Sequence, residues 1–214
     1  MIVIGLTGSI AMGKTTAAAM LRRMGLSVHD ADAAVHRLFH RNGAAVAAIA
    51  EAFPGAVRDG AVDRSELGRL VFGAPAALRR LEAIVHPLVR ADSDAFLRRC
   101  GRRRAAMAVL DIPLLFEVGR DRDCDVTILV SAPAFLQAQR VLRRPGMTVR
   151  RLAEIRAQQI PDHEKRRRSD FVVRTGLSRR ETLRQLTHIV RLLRRRRPRC
   201  GRGGARRKRR NRYA

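Results

Sequence analysis

The chain has 214 residues, 46% of them apolar, which suits one domain with a sizeable aliphatic core and room for a small insertion. It has no tryptophan, Tyr213 is its only tyrosine, and Cys100, Cys124 and Cys200 lie far apart, which argues against base stacking, a disulfide framework and a Cys-x-x-Cys metal site. Half of the net charge of +26 falls between Arg191 and Ala214, where thirteen basic residues and no acid occur, so the basic balance is as much a property of the tail as of the domain.

Ile2-Val3-Ile4-Gly5-Leu6 reads as a strand. It runs directly into Gly8-Ser9-Ile10-Ala11-Met12-Gly13-Lys14-Thr15, a G-x-x-x-x-G-K-[ST] phosphate loop, and then into helical Thr16 to Leu21. The glycines let backbone N–H groups converge on phosphate oxygens, and the helix starting near Lys14 points its positive end at the same anion. Lys14 is expected to reach the β- and γ-phosphates and Thr15 to ligate Mg²⁺. A glycine-rich turn without a ligand is the plain alternative, and the correct flanks weigh against it.

A second strand, Leu26 to His29, ends in Asp30-Ala31-Asp32, which puts two carboxylates where open parallel sheets bind ligands. Asp32 is the candidate general base, on the expectation that this strand neighbours the loop-bearing one. Asp30 is its competitor, and a mere N-cap for a helix starting at Ala33 is the non-catalytic reading of Asp32. Helical patterns follow over Ala33 to Phe39 and Ala44 to Phe53. From Asp63 to Cys100 the pattern is helical, with breaks expected at Gly73-Ala74-Pro75 and His86-Pro87. His29, His36 and His40 mix a strand end with a helix face, which favours ordinary polar histidines over a metal site.

Further strands are expected at Ala106 to Leu110, Asp125 to Val130 and Phe171 to Val173. An amphipathic helix spans Ala134 to Leu142. The basic stretch from about 143 to 168 reads as a mobile lid that brings arginines over a triphosphate, with Arg140 acting from its rigid base. A final helix, Thr182 to Arg196, places Leu183, Leu186, Ile189, Val190 and Leu193 on one side. Beyond it, the arginine-rich run from Arg199 is too poor in apolar groups to fold and reads as a disordered tail. Alternating strands and helices imply an α/β fold, a three-layer α/β/α sandwich on a mainly parallel five-stranded sheet. The absence of a basic leader and of a long apolar stretch leads to the expectation of a cytoplasmic protein without membrane contact.

Taken in order, Gly5 to Ile10 with Gly13 to Thr16, Asp30-Ala31-Asp32, His86-Pro87-Leu88, Pro113-Leu114-Leu115-Phe116-Glu117, Arg140, Arg144, Gln159, Pro161, Lys165 and Asp170 to Val173 resemble the dephospho-CoA kinase family. The resemblance covers about Ile2 to Gly176. It implies a single P-loop kinase domain over residues 1–190, with a helical CoA-binding insertion at about 63–100 and a lid at about 143–168. It further implies transfer of the ATP γ-phosphoryl group to the ribose 3′-hydroxyl of dephospho-CoA, with ATP as substrate and Mg²⁺ as cofactor. By the same resemblance Asp32 is the base, Lys14 and Arg140 are catalytic, and Gly8 to Thr16 with Arg144 bind ATP. Thr7, Asp32, His86, Pro113, Leu114, Leu115 and Glu117 would line the acceptor site. A monomer or weak homo-oligomer is expected, with no specific nucleic-acid partner beyond non-specific attraction of polyanions to the tail. The open alternatives are another small P-loop kinase acting on a nucleoside or nucleotide, and a nucleic-acid-associated NTPase.

The chain departs from the family pattern at several positions. Ala11 and Ser9 stand where glycines are usual, Thr15 stands for serine, Pro145 follows the lid arginine in place of an aspartate, and Thr175 occupies the region of a missing asparagine. A positive φ at Ala11 would cost roughly 1 kcal/mol or more through its Cβ.

Overall fold

The computed structural model describes residues 1–195; the expected tail from Arg199, with Cys200 and Tyr213, lies outside the described residues, as does the expected last helical residue, Arg196. In chain order the elements begin with β1 (Ile2–Thr7), α1 (Lys14–Arg23), β2 (Ser27–Asp30), α2 (Ala31–Phe39), α3 (Val46–Ala52), β3 (Val57–Arg58), β4 (Ala61–Val62) and α4 (Arg64–Val71). They continue with α5 (Pro75–Arg102), β5 (Met107–Asp111), β6 (Val126–Ser131), α6 (Ala134–Leu142), α7 (Val149–Ala157), α8 (Asp162–Arg168), β7 (Phe171–Arg174) and α9 (Arg179–Arg195). Two compact units divide the chain. One holds Met1–His29 and everything described from Cys100 onward, and the other holds Asp30–Arg99.

The first unit is built on a five-stranded sheet in the order β2-β5-β1-β6-β7. The β1–β5, β1–β6 and β6–β7 pairings are parallel, with Leu6 opposite Asp111, Thr7 opposite Leu129 and Ser131 opposite Arg174. Every residue of β5 and β6 is buried, as strands covered by helices on both faces must be. On one face Ala17, Ala18 and Leu21 of α1 and Leu186, Ile189, Val190 and Leu193 of α9 join Ile4, Leu6, Val109, Ile128 and Val173 in one core. Gly5 is required there, because a Cβ would lie 2.7 Å from Cys124 Sγ and 2.9 Å from Leu115 Cδ2.

This topology corrects the expected adjacency of the first two strands, since β5 lies between β1 and β2. A parallel crossover through a helix is free to skip a position, and the buried, wholly apolar Met107–Leu110 run takes the place beside β1. The carboxylate next to the phosphate loop along the sheet is therefore Asp111. Leu183 also departs from expectation: it is 41% exposed, whereas Thr182 is buried with the rest of the α9 stripe. The stripe is centred on Leu186, Ile189 and Leu193, and Leu183 falls at its edge.

The second unit is mainly helical. Asp30 Oδ1 accepts from Ala33 N (3.0 Å) and caps α2, so the helix starts at Ala31 and Asp32 is not its cap. His36 Nε2 lies 2.7 Å from Arg64 Nη1 and must accept from that permanent donor. An unexpected antiparallel hairpin joins β3 to β4 through Asp59-Gly60, both with positive φ (50° and 73°), the backbone of a tight primed turn. Asp63 caps α4 by accepting from Ser65 N and Glu66 N, and the Glu66 N–H chiefly holds its carboxyl below the ordinary carboxylate value. That contribution is present above the ordinary value and is lost as pH falls through the lowered one. The expected break at His86-Pro87 is absent, and α5 runs through Pro87. Burial of Val85 and Val89, one turn apart on either side of it, outweighs the missing N–H.

Leu186→Ala is expected to destabilise the protein by about 2–5 kcal/mol in urea unfolding, whereas Leu183→Ala changes stability by less than about 0.5 kcal/mol.

Candidate active site

The segment from Gly8 to Gly13 turns the chain from β1 into α1. Gly13 has φ 90°, and no side chain caps α1, so the first N–H groups of the helix are left for an anion. A Cβ at Gly8 would strike the Val130 side chain and approach the Val130 carbonyl oxygen to 2.8 Å, so only glycine permits this contact with β6. Ala11 has φ 57°, the left-handed conformation whose steric cost falls on its Cβ. Thr15 is exposed in the first turn of α1, while Ser9 and Met12 are buried.

The loop is held mainly by side chains from elements beyond it. Ile10 N donates to Gln159 Oε1 (3.4 Å), and Ile10 O accepts from Gln137 Nε2 (3.0 Å). Arg140 on α6 reaches Ala11 O (3.4 Å) and Thr175 O (2.9 Å). Thr175 Oγ1, in the region where this chain lacks the family's asparagine, donates to Met12 O (2.6 Å), and Met12 Sδ accepts from Ala132 N (3.1 Å). Lys165 on α8 is fully buried, with Nζ 3.1 Å from Ser9 Oγ and 2.7 Å from Glu117 Oε1.

Lys14 Nζ donates to Asp111 Oδ1 at 2.8 Å, and Asp111 is almost fully buried at the end of β5. Sequence reasoning left Asp111 out of the site. The signal was present in an apolar run, Met107 to Leu110, that ends on an acid, as β1 ends on the phosphate loop. A buried carboxylate needs a charged or hydrogen-bonded partner, and Lys14 supplies one. The Asp111 carboxylate and the Thr15 hydroxyl are the hard oxygen donors that Mg²⁺ prefers.

The remaining expected residues separate by position. Thr7 is buried and donates to Pro113 O (2.9 Å), fastening the loop after β5 to the tip of β1. Leu114 is exposed, Leu115 is fully buried in the core, and Glu117 turns to Lys165 and to Ile160 N (3.1 Å). Arg143, Arg144, Arg150 and Arg151 are exposed, whereas Arg156 is tied to Gln137 Oε1 (2.7 Å). Asp32 and His86 belong to the second unit, where Asp32 is exposed in the first turn of α2 and His86 is exposed on α5.

A family model described as dephospho-CoA kinase matches residues 2–180. A dephospho-CoA kinase of Paramagnetospirillum magneticum is 65% identical over 164 residues, 77% of each chain. One from Rhodospirillum rubrum is 59% identical over 186 residues, covering 86% of this chain and 88% of its own. A Thermus thermophilus crystal structure superposes with a TM-score of 0.77 at 38% identity, covering 89% of this chain and 96% of that one. A dephospho-CoA kinase from Campylobacter jejuni shares the fold with a TM-score of 0.62 at 20% identity, over 89% of this chain and 96% of that one.

Ala11→Gly is expected to raise stability by about 1 kcal/mol, read as an increase of a few degrees in the thermal midpoint, because the left-handed backbone no longer carries a Cβ.

Proposed function

The chain belongs to the dephospho-CoA kinase family, and on that premise we propose that it transfers the γ-phosphoryl group of ATP to the ribose 3′-hydroxyl of dephospho-CoA, giving coenzyme A and ADP. The observation that carries the site assignment is the phosphate loop opening on the uncapped start of α1, with Lys14 held 2.8 Å from the buried Asp111.

The loop N–H groups and the start of α1 bind the β- and γ-phosphates, and Lys14 exchanges Asp111 for phosphate oxygens. Arg140, fixed by the Ala11 and Thr175 carbonyls, places a permanent positive charge at the loop from the rigid α6 side. Thr15 and Asp111 would hold Mg²⁺, which offsets charge on the phosphate oxygens when bound. The 3′-oxygen of the acceptor attacks the γ-phosphorus, its proton passes to the Asp32 carboxylate, and the bond to the bridging oxygen of ADP breaks. Because Asp30 is engaged as the cap of α2 and Asp32 is exposed beside it, Asp32 is the better base of the two.

His86, Pro113 and Leu114 remain the acceptor-side candidates, and Arg144, exposed beyond α6, is the lid residue offered to the triphosphate. The helical insertion at about 63–100 would carry the coenzyme moiety. Of the expected lid at about 143–168, the exposed part that holds Arg143, Arg144, Arg150 and Arg151 would close and exclude water that would otherwise accept the phosphoryl group, whereas Arg156, Gln159 and Lys165 are already tied to α6, to the phosphate loop and to Glu117. No helix among the described residues is long and apolar enough to cross a membrane, and action in the cytoplasm fits the thiol content.

Coupled turnover is expected with dephospho-CoA and not with a panel of nucleosides and nucleotides; activity confined to the panel would overturn the acceptor. Asp32→Asn is expected to lower kcat about 100-fold or more while equilibrium ATP binding persists, and near-normal turnover would move the base to Asp30. Asp111→Asn should lower kcat and raise the Mg²⁺ concentration for half-maximal rate several-fold in a metal titration.

A further inference from the structure

Glu117, Lys165 and Ser9 form a buried arrangement that the phosphoryl-transfer mechanism does not use. Lys165 Nζ sits between Glu117 Oε1 (2.7 Å) and Ser9 Oγ (3.1 Å), and the lysine side chain is wholly excluded from solvent. Glu117 Oε1 also accepts from Ile160 N (3.1 Å), and the preceding residue, Gln159, accepts from Ile10 N through Oε1 (3.4 Å). The contacts therefore close a ring: Ser9 to Lys165 to Glu117 to Ile160 and Gln159, and back to Ile10, the next residue of the phosphate loop.

Burying an ammonium and a carboxylate has a large desolvation cost, and the attraction between them does little more than offset it. Here the pair is not even arranged for full satisfaction. Glu117 Oε2 is buried and has no hydrogen-bond partner among the described residues, while Oε1 takes both donors. An arrangement of this kind adds little to stability but fixes directions sharply, and the directions it fixes are those of two consecutive loop residues. Backbone anchoring reinforces this. Lys165 O accepts from both Ser169 N (3.0 Å) and Ser169 Oγ (2.7 Å), so the base of the lysine is held as firmly as its tip.

We propose that Lys165 and Glu117 are positioning residues for the nucleotide, acting through Ser9 and Ile10 to hold the entry of the phosphate loop in its anion-binding shape, and that Glu117 does not line the acceptor site. This deepens the kinase reading above and rests on it only for the choice of substrates. The unusual Ser9 belongs to the same device. Where glycine would leave the lysine with one partner, the serine hydroxyl accepts its second hydrogen bond and ties the loop to α8. A loop released from this ring samples more conformations and binds triphosphate less tightly, with no direct effect on the acceptor.

The test compares Ser9→Ala, Glu117→Gln, the neutral pair Lys165→Met with Glu117→Gln, and that pair combined with Ser9→Ala. Equilibrium binding of a fluorescent ATP analogue is read beside KM and kcat with both substrates varied. Ser9→Ala leaves the ion pair intact and is expected to weaken nucleotide binding and raise KM for ATP about tenfold. KM for dephospho-CoA and kcat should stay within about twofold. The neutral pair should show the same ATP-selective effect, and adding Ser9→Ala to it should produce little further change, because both act through one contact. Unchanged nucleotide binding in Ser9→Ala, full additivity with the neutral pair, or a rise in KM confined to dephospho-CoA in Glu117→Gln overturns the proposal. If the neutral pair does not fold, Ser9→Ala and Glu117→Gln still decide it. The binding assay needs no acceptor, so a wrong acceptor assignment would appear only in wild-type turnover and would leave this result standing.

Discussion

A phosphate-binding loop has to present bare backbone N–H groups to an anion, and that requirement strips it of the side chains with which most loops hold themselves. Gly8 and Gly13 must be glycine for steric and conformational reasons, and Ala11 adopts a left-handed backbone. The stiffness of the loop is therefore imported. Gln137 and Arg140 from α6, Gln159, Lys165 from α8 and Thr175 after β7 each grip one loop residue from Ser9 to Met12. Five side chains from outside the loop answer this one need.

The same economy explains where charge is buried. Lys14 and Lys165 lie on either flank of the loop, each with an acid within 2.8 Å: Asp111 for the first and Glu117 for the second. The pairs look alike but are placed for different work. Lys14 keeps a partly exposed side chain at the start of α1, and in the proposed function it exchanges its carboxylate for phosphate. Lys165 has no exposure at all and is bound to a serine of the loop itself, so its charge serves geometry and not ligand contact. The many exposed arginines of the lid region stand apart from both. Among them Arg150 pairs with Glu154 at 3.1 Å on the surface.

Deviations from the family pattern are absorbed locally. Thr175 holds the Met12 carbonyl at 2.6 Å, and a Cβ on Gly13 would come within 3.3 Å of that threonine, so the segment after β7 and the loop are fitted to one another at a residue that the pattern does not supply. Ser9 likewise becomes a partner for Lys165. Ala11 keeps its backbone conformation despite the Cβ, because its neighbours in the loop are held by four other segments.

The strands, the phosphate loop and the alternation of strands with helices were legible from local pattern alone. Apolar runs bounded by turn residues specify strands, and the G-x-x-x-x-G-K-T spacing specifies the loop whatever surrounds it. The hairpin through Asp59-Gly60 was not read from the sequence, because two-residue strands are too short to show a period. Other features depended on the folded chain. The insertion of β5 between β1 and β2, which puts Asp111 against Lys14, is a matter of strand order, and the apolar run ending on an acid that marks β5 does not say which strand it will neighbour. The passage of α5 through Pro87 depends on packing at Val85 and Val89 that outweighs a local preference. Glu117 reads as a pocket residue next to Leu114 until α8, almost fifty residues further on, brings Lys165 to it. Local spacing determined what chemistry the chain is equipped for; long-range packing, which pairs groups far apart in sequence, decided which residues hold that equipment in place.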